Sequence, residues 1–183
     1  GFNGGSVLSG DPALTSLVLT TTSLAAAAGG VSAFLVSTLA YKNYDLTMFL
    51  NGILGGLVGI TAGADLMSPN EAVVIGLIAG AIIVGGVALI DRIRLDDPVG
   101  AVTVHLICGI WGTIAVVLTN GDASLGTQLY GIIVVGVFTF IVSAVVWFIL
   151  KMVMGIRVSE EEEITGLDMA ELGMEAYPEF SKG

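Results

Sequence analysis

Ala72-Val73-Val74-Ile75-Gly76-Leu77-Ile78-Ala79-Gly80-Ala81-Ile82-Ile83-Val84-Gly85-Gly86-Val87-Ala88-Leu89-Ile90 contains no charged residue. A helix needs about 20 mainly apolar residues to cross the hydrocarbon core of a bilayer, and this stretch has that length and character. Four more stretches share it: about Leu14 to Ala40, Leu46 to Leu66, Val99 to Leu118 and Gln128 to Val153. The expected fold class is therefore all-α and integral to the membrane. Residues 1–155 form the transmembrane region, with spans at about 14–40, 46–66, 72–90, 99–118 and 128–153, and residues 156–183 form a tail. No span carries an internal proline. Pro12, Pro69 and Pro98 fall at or just before helix starts, where a missing N–H does little harm.

Composition agrees. Hydrophobic residues make up 55% of the 183 residues, charged residues only 12%, and the mean hydropathy is +0.95. A soluble domain carries about 25% charged residues and needs a polar coat. The net charge of −10 describes the tail more than the surface, since Glu160 to Glu163, Asp168, Glu171, Glu175 and Glu179 all follow Arg157. With no basic patch, nucleic acid is excluded as a partner. The one cysteine, Cys108, lies in an apolar run and reads as a buried structural thiol. Gly1 to Ser9 lacks the charged start and cleavage pattern of a signal peptide, and the chain reads as an internal piece or a processed product.

Cytoplasmic loops collect Lys and Arg. Lys42 follows the first span, Arg92 and Arg94 the third, and Lys151, Arg157 and Lys182 follow or close the fifth. The opposite loops hold Asp11, Asp65, Glu71 and Asp122 and no basic residue. The first span accordingly runs from outside to inside, and the tail is cytoplasmic. Glycines recur at four-residue spacing, as Gly52/Gly56, Gly55/Gly59/Gly63 and Gly76/Gly80. Small residues on one face let helices pack closely in lipid; a narrow pore lined by small residues is the alternative.

His105 is the only histidine, and it lies within the fourth span. At helical rise it sits roughly 10 Å inside the cytoplasmic end. An ionisable group at that depth is a functional-site candidate, set against a neutral imidazole satisfied by a neighbouring helix. One His and one Cys three residues apart are an incomplete ligand set, so no metal, cofactor or enzymatic centre is expected. Asp96 and Asp97 precede the same helix, where its dipole favours negative charge and where they read as a cap. Asn51 reads as an interhelical hydrogen-bond partner. Trp111 and Trp147 are interface anchors or core, and the Glu160 to Glu163 run is a solvated acidic segment.

Several strings, in this order, resemble the ammonium transporter (Amt/Mep/Rh) family, in its bacterial and archaeal Amt branch. They are Gly1-Phe2-Asn3-Gly4-Gly5-Ser6, then Asn51-Gly52-Ile53-Leu54-Gly55-Gly56-Leu57-Val58, then Asp96-Asp97-Pro98 with Val104-His105 and Cys108-Gly109-Ile110-Trp111-Gly112. The last is Gly155-Ile156-Arg157-Val158 with Glu161 to Glu163, Gly166-Leu167-Asp168 and Ala176-Tyr177. The resemblance spans the chain but only the C-terminal half of the family's usual length. It implies an eleven-helix inverted-repeat channel, of which this chain holds the end of the sixth helix and the last five. It also implies a homotrimer in the cell membrane and a pore for ammonium/ammonia.

By resemblance, Phe2 matches the inner phenylalanine of the pore gate and Ser6 the serine of the outer ammonium site. His105 matches the second histidine of a proton-relaying pair, whose partner would come from the N-terminal half of the same protein. Two departures stand out: Leu106 replaces the glycine that often follows the histidine, and Leu172 and Met174 replace the His and Glu usual in the tail motif. The tail's expected partner, a PII signalling protein at the cytoplasmic face, is tied to that motif. Residues Arg157 to Tyr177 are expected to dock in order on that face. A non-fused ammonium sensor subunit with the same fold is the alternative function.

Overall fold

The computed structural model describes residues 1–175, and among them every regular element is helical. Helix α1 is Pro12–Tyr41, α2 Leu46–Ile60, α3 Pro69–Arg92, α4 Cys108–Thr119 and α5 Leu125–Val153. Two short helices follow, α6 Glu160–Thr165 and α7 Leu167–Leu172. Five helical segments are long and apolar enough to cross a membrane: α1, α2 with its 3-10 extension to Gly63, α3, Val102–Thr119 and α5.

Local chemistry starts these helices where the sequence suggests. Asp11 accepts from the backbone N–H groups of Ala13 and Leu14, and Pro12 stands in the first turn. Asp45 accepts from Met48 N–H. Ser68 and Glu71 form a reciprocal capping box with Pro69 in the first turn. Each cap satisfies donors that a helix start leaves open.

Three expectations change. The fourth span begins at about Val102, not at 99, because side chains hold residues 98–100 as a turn. The second span's α-helix ends at Ile60 and tightens into a 3-10 turn, Thr61–Gly63. There the Gly63 carbonyl takes the N–H groups of Leu66 and Met67 at 3.0 and 2.9 Å and folds the chain back before residue 66. Residues Gly4–Val7 form a 3-10 turn, not a turn of α-helix. The acidic run is also more than solvated chain: Glu160 to Glu163 make up the first turn of α6, capped by Ser159. Acidic residues there complement the helix dipole.

The chain divides into two compact units, Gly1–Val134 and Val135–Gly183. In the first, α1, α2 and α3 pack against one another, and α4 packs on α2 and α3. The glycine spacing builds this packing. A Cβ on Gly56 or on Gly76 would collide with the carbonyl oxygen of Ala25. A Cβ on Gly52 or on Gly80 would likewise collide with the carbonyl oxygen of Gly29. Two successive carbonyls on one face of α1 are thus each approached by one glycine of α2 and one of α3. The second glycine row of α2 faces elsewhere. Gly55 lies against Ile83 and Cys108, and Gly59 against Ala79 and Trp111.

Hydrophobic burial does not drive helices together in lipid, so dispersion and polar contacts must. Thr21 Oγ1 donates to the Ala64 carbonyl at 2.7 Å, and Ser32 Oγ to the Leu77 carbonyl at 2.6 Å. Each such bond contributes about 0.6 kcal/mol in a membrane bundle. Helix α5 has no polar face along its apolar length and no buried residue.

The second unit contains α6 and α7, which pack on each other. Gly166 and Gly173 join and end them with φ of +95° and +66°. Ala176 and Tyr177, part of the tail expectation, lie outside the described residues, as do Glu179 and Lys182.

Candidate functional site

His105 lies on a π-helical turn, Val102–Ile107, that leads directly into α4. In such a turn the hydrogen bonds span five residues instead of four, as in the bond from Cys108 N–H to the Thr103 carbonyl. The wide turn splits its residues between two environments. Thr103 and Val104 are buried, and Val104 joins Ala79, Ile83 and Cys108 in one apolar cluster. His105 and Leu106 are exposed on the surface of the chain. π-Turns are rare and occur preferentially at functional sites.

The entrance to this turn is closely specified. The Asp97 carboxylate accepts from Ala101 N–H at 2.8 Å through one oxygen and from Val102 N–H at 2.9 Å through the other. Asp96 makes no such cap and is exposed. From α2, Asn51 Nδ2 donates to the Val99 carbonyl at 3.0 Å; the polar bond expected between helices joins a helix to the turn before the fourth span instead. Gly100 is buried between these groups with φ of +75°, and a Cβ there would stand 2.8 Å from Asn51 Nδ2. Both the backbone and the space require glycine.

Phe2 and Ser6 share the segment that contains the 3-10 turn. Phe2 is 48% exposed, and Ser6 is exposed. Between them Asn3 is buried, donating from Nδ2 to Thr22 Oγ1 of α1 at 3.2 Å, while its carbonyl accepts from Ser6 N–H at 2.9 Å. Asn3 therefore anchors both candidates to α1. No hydrogen bond joins His105 to Phe2 or Ser6 among the described residues.

Trp111 is partly buried and packs against the core, its Nε1–H donating to the Ile75 carbonyl of α3 at 3.2 Å. Trp147 is 59% exposed. Cys108 is buried against α3, with Sγ 3.8 Å from the Ala79 carbonyl, and is no exposed nucleophile.

A model of the Ammonium Transporter Family matches residues 1–177. The chain belongs to the Ammonium Transporter Family. It is 42% identical to a putative ammonium transporter of Synechocystis over 94% of its own length and 41% of that relative. It is 41% identical to ammonium transporter Amt2 of Archaeoglobus fulgidus over 98% of its own length and 43% of that relative. Among solved structures it resembles a sensor Amt protein at a TM-score of 0.84 and 35% identity, covering 92% of this chain and 44% of that one. The chain thus spans less than half the length of the relatives it matches. Family membership and five membrane-length helices make it part of a multi-pass membrane protein of a transporter family, as the Amt/Mep/Rh resemblance implied.

Proposed function

We propose that this chain supplies part of the pore of an ammonium/ammonia transporter, with His105 in a histidine proton relay. The observation that carries the reading is a lone imidazole, exposed on a π-turn within a charge-free span. The rest of the fold, including a partner imidazole, comes from sequence beyond this segment, in the same polypeptide or a second chain. Three such protomers assemble in the cell membrane with the tail in the cytoplasm. The basic residues favour that sidedness, and the tail face is where a PII signalling protein would bind.

Ammonium is a hydrated cation, and stripping it of water in an apolar pore is expensive. At the outer mouth, the Ser6 hydroxyl and aromatic faces replace part of the lost hydration by hydrogen-bond and cation–π contacts. At the gate, the Phe2 ring narrows the path. Deeper, neutral ammonia passes beside the imidazoles, which accept and release its proton. Potassium has no proton to give up and is rejected.

The test is ammonium-evoked current and potassium exclusion in liposomes containing the complete assembly. His105→Ala should abolish the ammonium current or admit potassium. Wild-type current with wild-type exclusion in that variant would refute the relay.

The likeness to a sensor Amt protein favours a second reading, a non-fused ammonium sensor. A sensor would bind ammonium in the same vesicles and change its cytoplasmic surface without passing measurable current.

A further inference from the structure

We infer that Asn51 is a positioning residue for His105, acting by holding the Val99 carbonyl and so fixing the π register of the turn that presents the imidazole.

In an ordinary helix the carbonyl of residue 99 would accept from the N–H of residue 103, and a threonine at 103 would often add its hydroxyl to that carbonyl. Here Asn51 Nδ2 occupies the Val99 carbonyl from α2. The consequence appears four residues on. Thr103 is fully buried, and its Oγ1 has no hydrogen-bond partner. Its Cγ2 sits where a Cβ on Gly86 would be, so the side chain is held against α3. A buried hydroxyl without a partner is a rare defect, and it lies four residues after the carbonyl that Asn51 holds. The Asp97 carboxylate meanwhile holds the N–H groups of Ala101 and Val102. One side chain from α2 and one from the turn thus hold the Val99 carbonyl and the Ala101 and Val102 N–H groups; Val104 N–H still reaches the Gly100 carbonyl at 2.9 Å in a four-residue bond, and the five-residue bond of Cys108 to Thr103 follows it.

Register decides direction. Changing five-residue bonds to four-residue bonds rotates every side chain beyond the change about the helix axis. Val104 and Cys108 are pinned in the apolar cluster with Ala79 and Ile83. His105, next to Val104, faces outward only in the register that buries Val104 and Thr103 together. Asn51 lies on another helix and is buried, and its side chain reaches the turn through the backbone at Val99.

For conduction, this inference rests on the reading of His105 as a relay; for imidazole orientation it does not. The test therefore pairs two measurements on the complete assembly in liposomes: the nitrogen resonances of the His105 imidazole, assigned with His105→Ala, and the ammonium-evoked current. Asn51→Leu keeps the shape and removes the donor. It should shift the His105 resonances and lower the current about tenfold or more, as misplacement by about 1 Å can do. Ser32→Ala removes an interhelical bond of similar kind on α1 and should leave the resonances in place. Unmoved resonances in Asn51→Leu, or equal movement in Ser32→Ala, would overturn the positioning role. If Asn51→Leu does not fold, Asp97→Asn, at the other side of the turn, is judged by the same two readouts. If His105→Ala conducts as wild type, the relay falls, and the resonances still decide whether Asn51 orients the ring.

Discussion

The side-chain amide of Asn3 donates to Thr22 Oγ1 at 3.2 Å, joining the N-terminal segment to α1 through a buried bond between residues nineteen apart. Among the described residues no other side-chain hydrogen bond joins residues 1–8 to α1, so this bond, with the packing of Val7 against the cluster of Val18 and Ala25, places Phe2 and Ser6. Asn3→Ala should lower stability by about 1 kcal/mol and leave the Thr22 hydroxyl unsatisfied. Thr22→Val should act similarly, and the double variant should lose less than the sum of the two. Unfolding in detergent, read by near-ultraviolet circular dichroism, measures all three.

The glycine seam has less tolerance. Gly56 and Gly76 approach the Ala25 carbonyl from opposite helices, and the hydrogen that a Cβ would replace points at the oxygen. Gly56→Ala and Gly76→Ala should each destabilise the bundle by about 1–3 kcal/mol, since backbone must move to make room. Gly85→Ala, on the same helix as Gly76 with open space at its Cβ, should be neutral. Equal unfolding midpoints for all three would refute close packing at Ala25.

Ser6→Ala should raise the ammonium concentration for half-maximal current about tenfold and leave the maximal current near wild type, as loss of one hydrogen bond to a cation implies. A change confined to the maximal current would place Ser6 away from the entry site.

Glu162 offers a pH test. The Ser159 backbone N–H and then its hydroxyl donate to the carboxylate and hold it below the ordinary value of 4.5. The folded value is depressed, so the cap's contribution is fully present above 4.5 and is lost as the pH falls through the lower folded value. The Ser159 amide resonance should titrate with a midpoint below 4.5, and in Glu162→Gln that titration should vanish.

The spans were legible because charge and proline are absent from them and gather at their ends. Lipid imposes that pattern whatever the neighbouring helices do. The four-residue glycine spacing revealed close packing, although the shared target on α1 emerges only in three dimensions. The π-turn was not legible. Residues 102–107 are four apolar residues with one threonine and one histidine, and so short a mixed run reads the same at any helical pitch. Asp97 reads locally as a cap and Asn51 as a polar partner, Gly100 gives no signal of its own, and their convergence on residues 99–102 depends on contacts across 48 residues of sequence. The burial of Asn3 has no sequence signal, because a short glycine-rich stretch has no periodicity from which burial can be read.

Helix α5 contains 29 residues and is free of charge from Leu125 to Leu150. At 1.5 Å per residue that charge-free part is about 39 Å long, against a hydrocarbon thickness of about 30 Å. The excess must be absorbed by tilting, by local swelling of the bilayer, or by Lys151 reaching back to the headgroups. Longer acyl chains relieve the mismatch and shorter ones sharpen it. Membrane thickness therefore acts on this protein directly, through the length of its last span, whether or not any ligand is present.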